Sequence, residues 1–249
     1  MRFQSAAILI GALALAACGD DDETTEPVVQ NANVKVVHAV ANAGTVAVSI
    51  DGATPAITGF NFREIRPANP GQYIQLPAGQ RQLRVLLSNG TGAAAISESP
   101  TLAANLNYTV VAAGTAGGSG ALAPAYILLT DDITAPAAGQ VRIRAVHAAS
   151  SVPNVDIHAS ATSAVNFSAA TRVFTNVPFR ASGAITVPAN NYTLCVIGAG
   201  TTPTANGSNC AILAPTGALA AGTVATGFAT DAPTTGGAPA LILTVDRAP

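Results

Sequence analysis

Charge and aromatic rings are scarce in this chain. Of its 249 residues only 10% are charged and 4% aromatic, tryptophan is absent, and Lys35 is the one lysine. Setting aside Arg2 in the leader, ten bases stand against thirteen acids, and five of those acids crowd into residues 20–26. The remainder therefore balances ten bases against eight acids, too even a mixture to hold nucleic acid. With so few rings, a sugar-stacking platform would have to come from Tyr73, Tyr108, Tyr126 or Tyr192. Past the leader no run reaches about 18 consecutive apolar residues, which excludes a spanning helix there. Catalytic signatures are missing as well: there is no Gly-x-Ser-x-Gly elbow, no His-Glu-x-x-His and no P-loop, and no cofactor is expected.

What is present begins at the N-terminus. Met1-Arg2 is followed by an apolar run from Ala6 to Leu15, too short for a span, which reads as a signal peptide over residues 1–17. It closes on Leu15-Ala16-Ala17-Cys18, which resembles the bacterial lipobox. That resemblance implies diacylglyceryl transfer to the Cys18 sulfur, cleavage before Cys18 and acylation of the new amino group, and two or more acyl chains anchor a protein stably. Residues 18–33 then carry the five acids, no base and few apolar side chains, so they read as a flexible tether with a reach of about 20 Å. Gly19 after the cysteine, where an aspartate would signal inner-membrane retention, favours the outer membrane.

The rest, 49% hydrophobic across the chain but rich in alanine, has the composition of a globular protein. It contains an internal repeat. Lys35-Val36-Val37-His38-Ala39 recurs as Arg144-Ala145-Val146-His147-Ala148, and Val48-Ser49-Ile50 as Val155-Asp156-Ile157. Tyr73 to Gly79 matches Ala184 to Asn190, Leu102 to Asn105 matches Leu219 to Gly222, and Ala125 to Leu128 matches Ala240 to Leu243. A period near 110 residues fits whole domains rather than solenoid units. Runs such as Gln82 to Leu86 and Ile185 to Val187 alternate polar and apolar, Tyr108 to Val111 is β-branched and aromatic, and Asp51-Gly52, Pro70-Gly71 and Asn89-Gly90 mark turns. The expectation is an all-β fold of two tandem β-sandwich domains, immunoglobulin-like or transthyretin-like, over residues 34–134 and 140–249.

Those repeated motifs, a basic-x-Val-His-Ala strand, apolar-Pro-Ala-Gly before another strand and a Leu-Ala segment leading to Tyr-Thr-Val-Val, resemble the bacterial family catalogued as domain of unknown function 4397. The resemblance runs over both copies, from about residue 33 to 249, with Asn190 and Gly222-Thr223-Val224 departing from the pattern in the second. It implies an envelope location and a β-sandwich-like domain, and no catalytic residues.

Beyond Cys18, Cys195 and Cys210 lie 15 residues apart in one copy and are expected to form a disulfide, stapling a hairpin in an oxidising compartment. His147, Asp156 and His158 form the one weak candidate metal set, since Asp156 and His158 share a strand face. A strand-end histidine bonded to a neighbouring loop explains His38 and His147 equally, and no metal is expected. Asp131-Asp132 reads as a solvated turn, and Arg63, Arg66, Arg81 and Arg84 as solvated surface. The functional expectation is a lipid-anchored envelope protein with a structural, adhesive or protein-interaction role and no catalysis. It touches the membrane through Cys18, faces the periplasm or the cell surface, and has an envelope protein or glycan as partner. The alternative is an envelope binding lipoprotein for a small ligand, metal or glycan.

Overall fold

The structure, a computed structural model, describes residues 30–52, 54–161, 166–233 and 237–249. The leader, Cys18 and most of the expected tether lie outside the described residues. The described chain is all-β, with no α-helix.

Residues up to 130 supply eleven strands: β1 (Asn31–Ala41), β2 (Val46–Ile50), β3 (Ile57–Phe60), β4 (Ile65–Arg66), β5 (Ile74–Pro77), β6 (Gly79–Gln80), β7 (Leu83–Leu86), β8 (Ala94–Glu98), β9 (Thr101–Leu102), β10 (Asn107–Thr115) and β11 (Ala125–Thr130). Residues from 140 supply eight more: β12 (Gln140–Ala148), β13 (Val155–Ser160), β14 (Thr171–Val177), β15 (Ser182–Pro188), β16 (Asn191–Gly198), β17 (Ile212–Ala218), β18 (Val224–Thr230) and β19 (Ala240–Arg247). The first strand starts at Asn31, inside the stretch expected to be tether, because β1 pairs with β5 and β10 and Ala32 and Val34 are buried in the core of the first half.

Each half folds as two facing sheets. In the first, β11-β10-β1-β4, with β5 also on β1, forms an inner sheet and β3-β2-β7-β8 an outer one, while β6 pairs with β9. In the second, β15-β12-β18-β19 is inner and β14-β13-β16-β17 outer. Both inner sheets are built on a parallel pair, β1 with β10 and β12 with β18. The two inner sheets then pack on each other: Val37, Ala39, Val111, Ala113, Ile127 and Leu129 share one core cluster with Val146, Ala148 and Phe228. The result is a stack of four layers. Its middle sheets are buried on both faces, which is why β10 and β18 are apolar or small along their lengths instead of alternating.

Strand register corrects the repeat alignment in one place. Val48 lies opposite Val85 and Ile157 opposite Val196, so Ile157, not Val155, stands where Val48 does. The offset of 109 residues between Lys35 and Arg144 persists through this strand because the preceding turns have equal length. His38 Nε2 donates to the carbonyl of Gly44 at 3.0 Å and His147 Nε2 to that of Pro153 at 3.1 Å. Asp156 and His158 therefore occupy the places of Ala47 and Ser49.

Candidate functional site

The charged side chains converge where the halves meet. Lys35 on β1 reaches Asp246 on β19, Nζ to Oδ1 2.6 Å, with side chains 0% and 2% exposed. Its ammonium also sits 4.8 Å from the centre of the Tyr73 ring. The counterpart runs in the opposite direction: Arg144 on β12 donates to Asp131, just after β11, at 2.6 Å. Thr109 Oγ1 donates to Asp131 at 2.7 Å, and Thr226 Oγ1 donates to Asp246 at 2.5 Å. Each half thus offers a cation and a hydroxyl-supported carboxylate to the other, the reciprocal pattern of an isologous interface.

Two arginines repeat the pattern. Arg63 donates to the carbonyls of Asp231 at 2.6 Å and Ala238 at 3.0 Å, and Arg180 donates to the carbonyl of Ala123. Both hold positive φ, 68° and 70°, both follow a phenylalanine over which the guanidinium lies, and each backbone N–H donates to a histidine carbonyl, of His38 or His147, at 2.7 Å.

Asp131 is therefore no solvated turn. It is buried, accepting from Tyr73 Oη at 2.9 Å as well as from Thr109 and Arg144, because the buried cations of the interface need anions beside them. Burial, followed by the charges of Asp131 and Asp246, pushes the Tyr73 phenol far up, so it stays a donor. Asp132 is the exposed member and pairs with Arg142 at 2.6 Å. Arg63 likewise spans the halves instead of facing solvent, while Arg66 pairs with Glu64 and Arg81 with Asp51.

The candidate metal set is not assembled. No group of three or more metal-ligating side chains is found among the described residues. His147 accepts from the N–H of Ala149 at Nδ1, 3.4 Å, and donates from Nε2, so both ring nitrogens are engaged and the ring is neutral. His38 does the same with Val40 at 3.2 Å. Burial holds both imidazoles below the ordinary histidine range. Asp156 accepts from the N–H groups of Asn176 at 2.7 Å and Gly200 at 3.0 Å and from Arg172 at 3.2 Å. Burial pushes its carboxyl up, but those donors outweigh it and the net shift is down. His158 keeps Nε2 buried with no partner among the described residues.

A different feature separates the halves. Between the two sheets of the second half lies an apolar cleft of about 270 Å³, lined among others by Ala145, Ile157, Phe174, Ile185, Gly227 and Leu241. The corresponding space in the first half, between Val36, Val48, Phe60, Val85, Val110 and Tyr126, measures about 10 Å³.

A family model described as a domain of unknown function, DUF4397, matches residues 32–158, just over half of the chain. The chain belongs to the DUF4397 family. The matched span runs from within β1 to within β13, passing beyond the first half into the second. No curated protein matches this DUF4397 chain. Among solved structures, the Bacillus anthracis TIE protein is 9% identical at a TM-score of 0.25, covering 81% of this chain and 34% of that one. The chain thus spans about a third of the TIE protein's length. CBMbc, a family CBM26 module of Eubacterium rectale Amy13K solved with maltoheptaose, is 12% identical at a TM-score of 0.24, covering 87% and 98%.

In this DUF4397 protein the four tyrosines differ in exposure. Tyr108 and Tyr192 are buried, and Tyr73 and Tyr126 are half-buried. The Cys195–Cys210 disulfide is formed, Cα atoms 5.4 Å apart, and closes the loop between β16 and β17 as the spacing suggested. Asp231 was not anticipated. It accepts from the N–H and Oγ of both Ser150 and Ser151, fixing the turn after β12. The repeated Phe62-Arg63 and Phe179-Arg180 dipeptides were the available signal for the arginine clasps.

Proposed function

We propose that this protein is a lipid-anchored component of the bacterial envelope, held at the outer membrane through Cys18, with two copies of one β-module that serve a structural, adhesive or interaction role without catalysis. The observation that carries this reading is the reciprocal interface. Lys35–Asp246, Arg144–Asp131 and the paired arginine clasps join the halves into one stiff body. The polar groups that could do chemistry, His38, His147, Asp131 and Asp156, are committed to holding strands and turns in place. Such a body suits a spacer or a scaffold for loop contacts. The lipid on Cys18 supplies the address.

The test is metabolic labelling with radioactive palmitate and membrane fractionation in a bacterial host. The wild-type chain is expected to take up label and sediment with membranes, and Cys18→Ala to do neither. A wild-type chain that keeps residues 1–17 and takes up no label refutes the anchor. The apolar cleft favours a second reading, a binding lipoprotein for a small ligand.

A further inference from the structure

We infer that the cleft of the second half is a binding site for a single unbranched aliphatic chain, with the polar end of the ligand left in solvent. This inference rests on the second reading above and names its ligand class.

The first half shows what the same strands look like when their core is closed. Strand pairing places Ala145 at the position of Val36, Ala159 at that of Ile50, Gly227 at that of Val110 and Leu241 at that of Tyr126. With Val187, which stands at the position of Leu76, five side chains are thus cut back around one space, while the fold is kept. Three changes go the other way, Ile143 for Val34, Ile157 for Val48 and Phe174 for Ile57, and they do not refill it. Gly227 needs no special backbone conformation, and a Cβ there would meet only the flexible tips of Leu241 at 3.2 Å and Leu243 at 3.6 Å. Its role is the space it leaves.

The chemistry of the lining selects the occupant. None of the buried side-chain polar atoms without a partner, Arg81 Nε, Tyr126 Oη, His158 Nε2 and Arg180 Nε, belongs to a residue of this cleft. Tyr192 Oη, at its border, already donates to the carbonyl of Pro188 at 2.6 Å. A polar ligand or a row of waters would lose hydrogen bonds on entry and find only the exposed Thr171 hydroxyl in return. An alkyl chain loses nothing and sheds its contact with water. Access runs past the edge strands β14 and β15, where Phe174, Ile185 and Val187 remain half-buried. At roughly 30 Å³ per water-sized group, 270 Å³ admits about nine methylenes.

The test uses the full chain carrying Cys18→Ala, so that no attached lipid competes, titrated calorimetrically with hexanoate, octanoate, decanoate and dodecanoate, with n-decanol and with dioctanoylphosphatidylcholine. Affinity is expected to rise about fourfold per methylene and to level off near nine or ten carbons. Decanol should match decanoate, since the one charged residue of the lining, Arg144, commits its guanidinium to Asp131 at the interface between the halves. Whether the phospholipid binds as well distinguishes a membrane source from a free acid, both being the same chain chemistry. Gly227→Val and, independently, Ala159→Ile restore first-half residues and should each weaken decanoate by roughly tenfold or more while leaving the melting temperature unchanged or higher. Absence of binding by the alkyl series, or binding that neither filling variant weakens, overturns the inference. Tighter binding of naphthalene than of decanol, abolished by the same variants, overturns the aliphatic assignment and leaves the binding reading standing.

Discussion

Replacing Lys35 by methionine keeps most of the stem and removes the charge. Asp246 then lies in a site where its side chain is 2% exposed, with Thr226 Oγ1 at 2.5 Å and Arg144 at 3.9 Å as its remaining support. Removing one partner of a buried ion pair costs about 3–5 kcal/mol, and the surviving hydroxyl and distant cation place this case near 3 kcal/mol. In a folded body of this size 1 kcal/mol moves the melting temperature by about 2–4 °C, so Lys35→Met should lower it by about 6–12 °C. Asp246→Leu should cost a similar amount. The double variant should recover most of the loss, since two apolar side chains then share a dry site. Urea unfolding of the four members of this cycle gives the coupling directly, expected at about 2 kcal/mol or more. A single loss below about 1 kcal/mol, as exposed pairs give, would refute the buried interface. So would two unfolding transitions, because halves that share one core should melt together.

Reducing the Cys195–Cys210 disulfide, or replacing both cysteines by serine, should lower stability by about 3 kcal/mol for a loop of 15 residues, measured by urea unfolding. An unchanged midpoint would mean that the β16–β17 loop is already constrained when unfolded. Acid should also weaken the fold before any carboxylate titrates. His38 and His147 are held below the ordinary value of 6.5, so the unfolded chain binds protons that the native one refuses, and stability complete above about pH 6.5 is lost as the pH falls below it. Melting temperatures that stay flat from about pH 7.5 to pH 5 would contradict the neutral, doubly bonded imidazoles.

Much of this architecture was legible in the residues. Alternation at Gln82 to Leu86 and β-branched content at Tyr108 to Val111 mark strands, and the Lys35 and Arg144 motifs mark the repeat. The disulfide followed from setting Cys18 aside, which leaves two cysteines 15 residues apart in one copy. The interface did not, because periodicity reports whether a strand has one buried face but not what covers the other. Continuous runs such as Val224 to Thr230 carry that information only once the second partner sheet is known. Asp131 was misread for a related reason: a carboxylate after an apolar strand looks solvated until Arg144, 13 residues away, is seen to turn back onto it. The cleft was less legible still. Ala145, Ala159 and Gly227 do not stand out in an alanine-rich chain, and the Val-x-Ile match of the sequence lies two residues out of register at β13, pairing Ile157 with Ile50 and so hiding the exchange of Ile50 for Ala159.

The distribution of stabilising features between the halves bears on why the cleft can exist. A cleft of about 270 Å³ forgoes packing contacts that the closed core of the first half makes, and so costs stability. The second half has two supports that offset such a cost. Its inner sheet is buried against the first half through Val146, Ala148 and Phe228, and its outer sheet is cross-linked through Cys195, which lies on β16 between Leu194 and Val196, both facing the cleft. The first half, with its core filled by Val36, Phe60, Val110 and Tyr126, needs no disulfide of its own. One closed sandwich thus braces one open one, and the reciprocal ion pairs are the means by which the brace is applied.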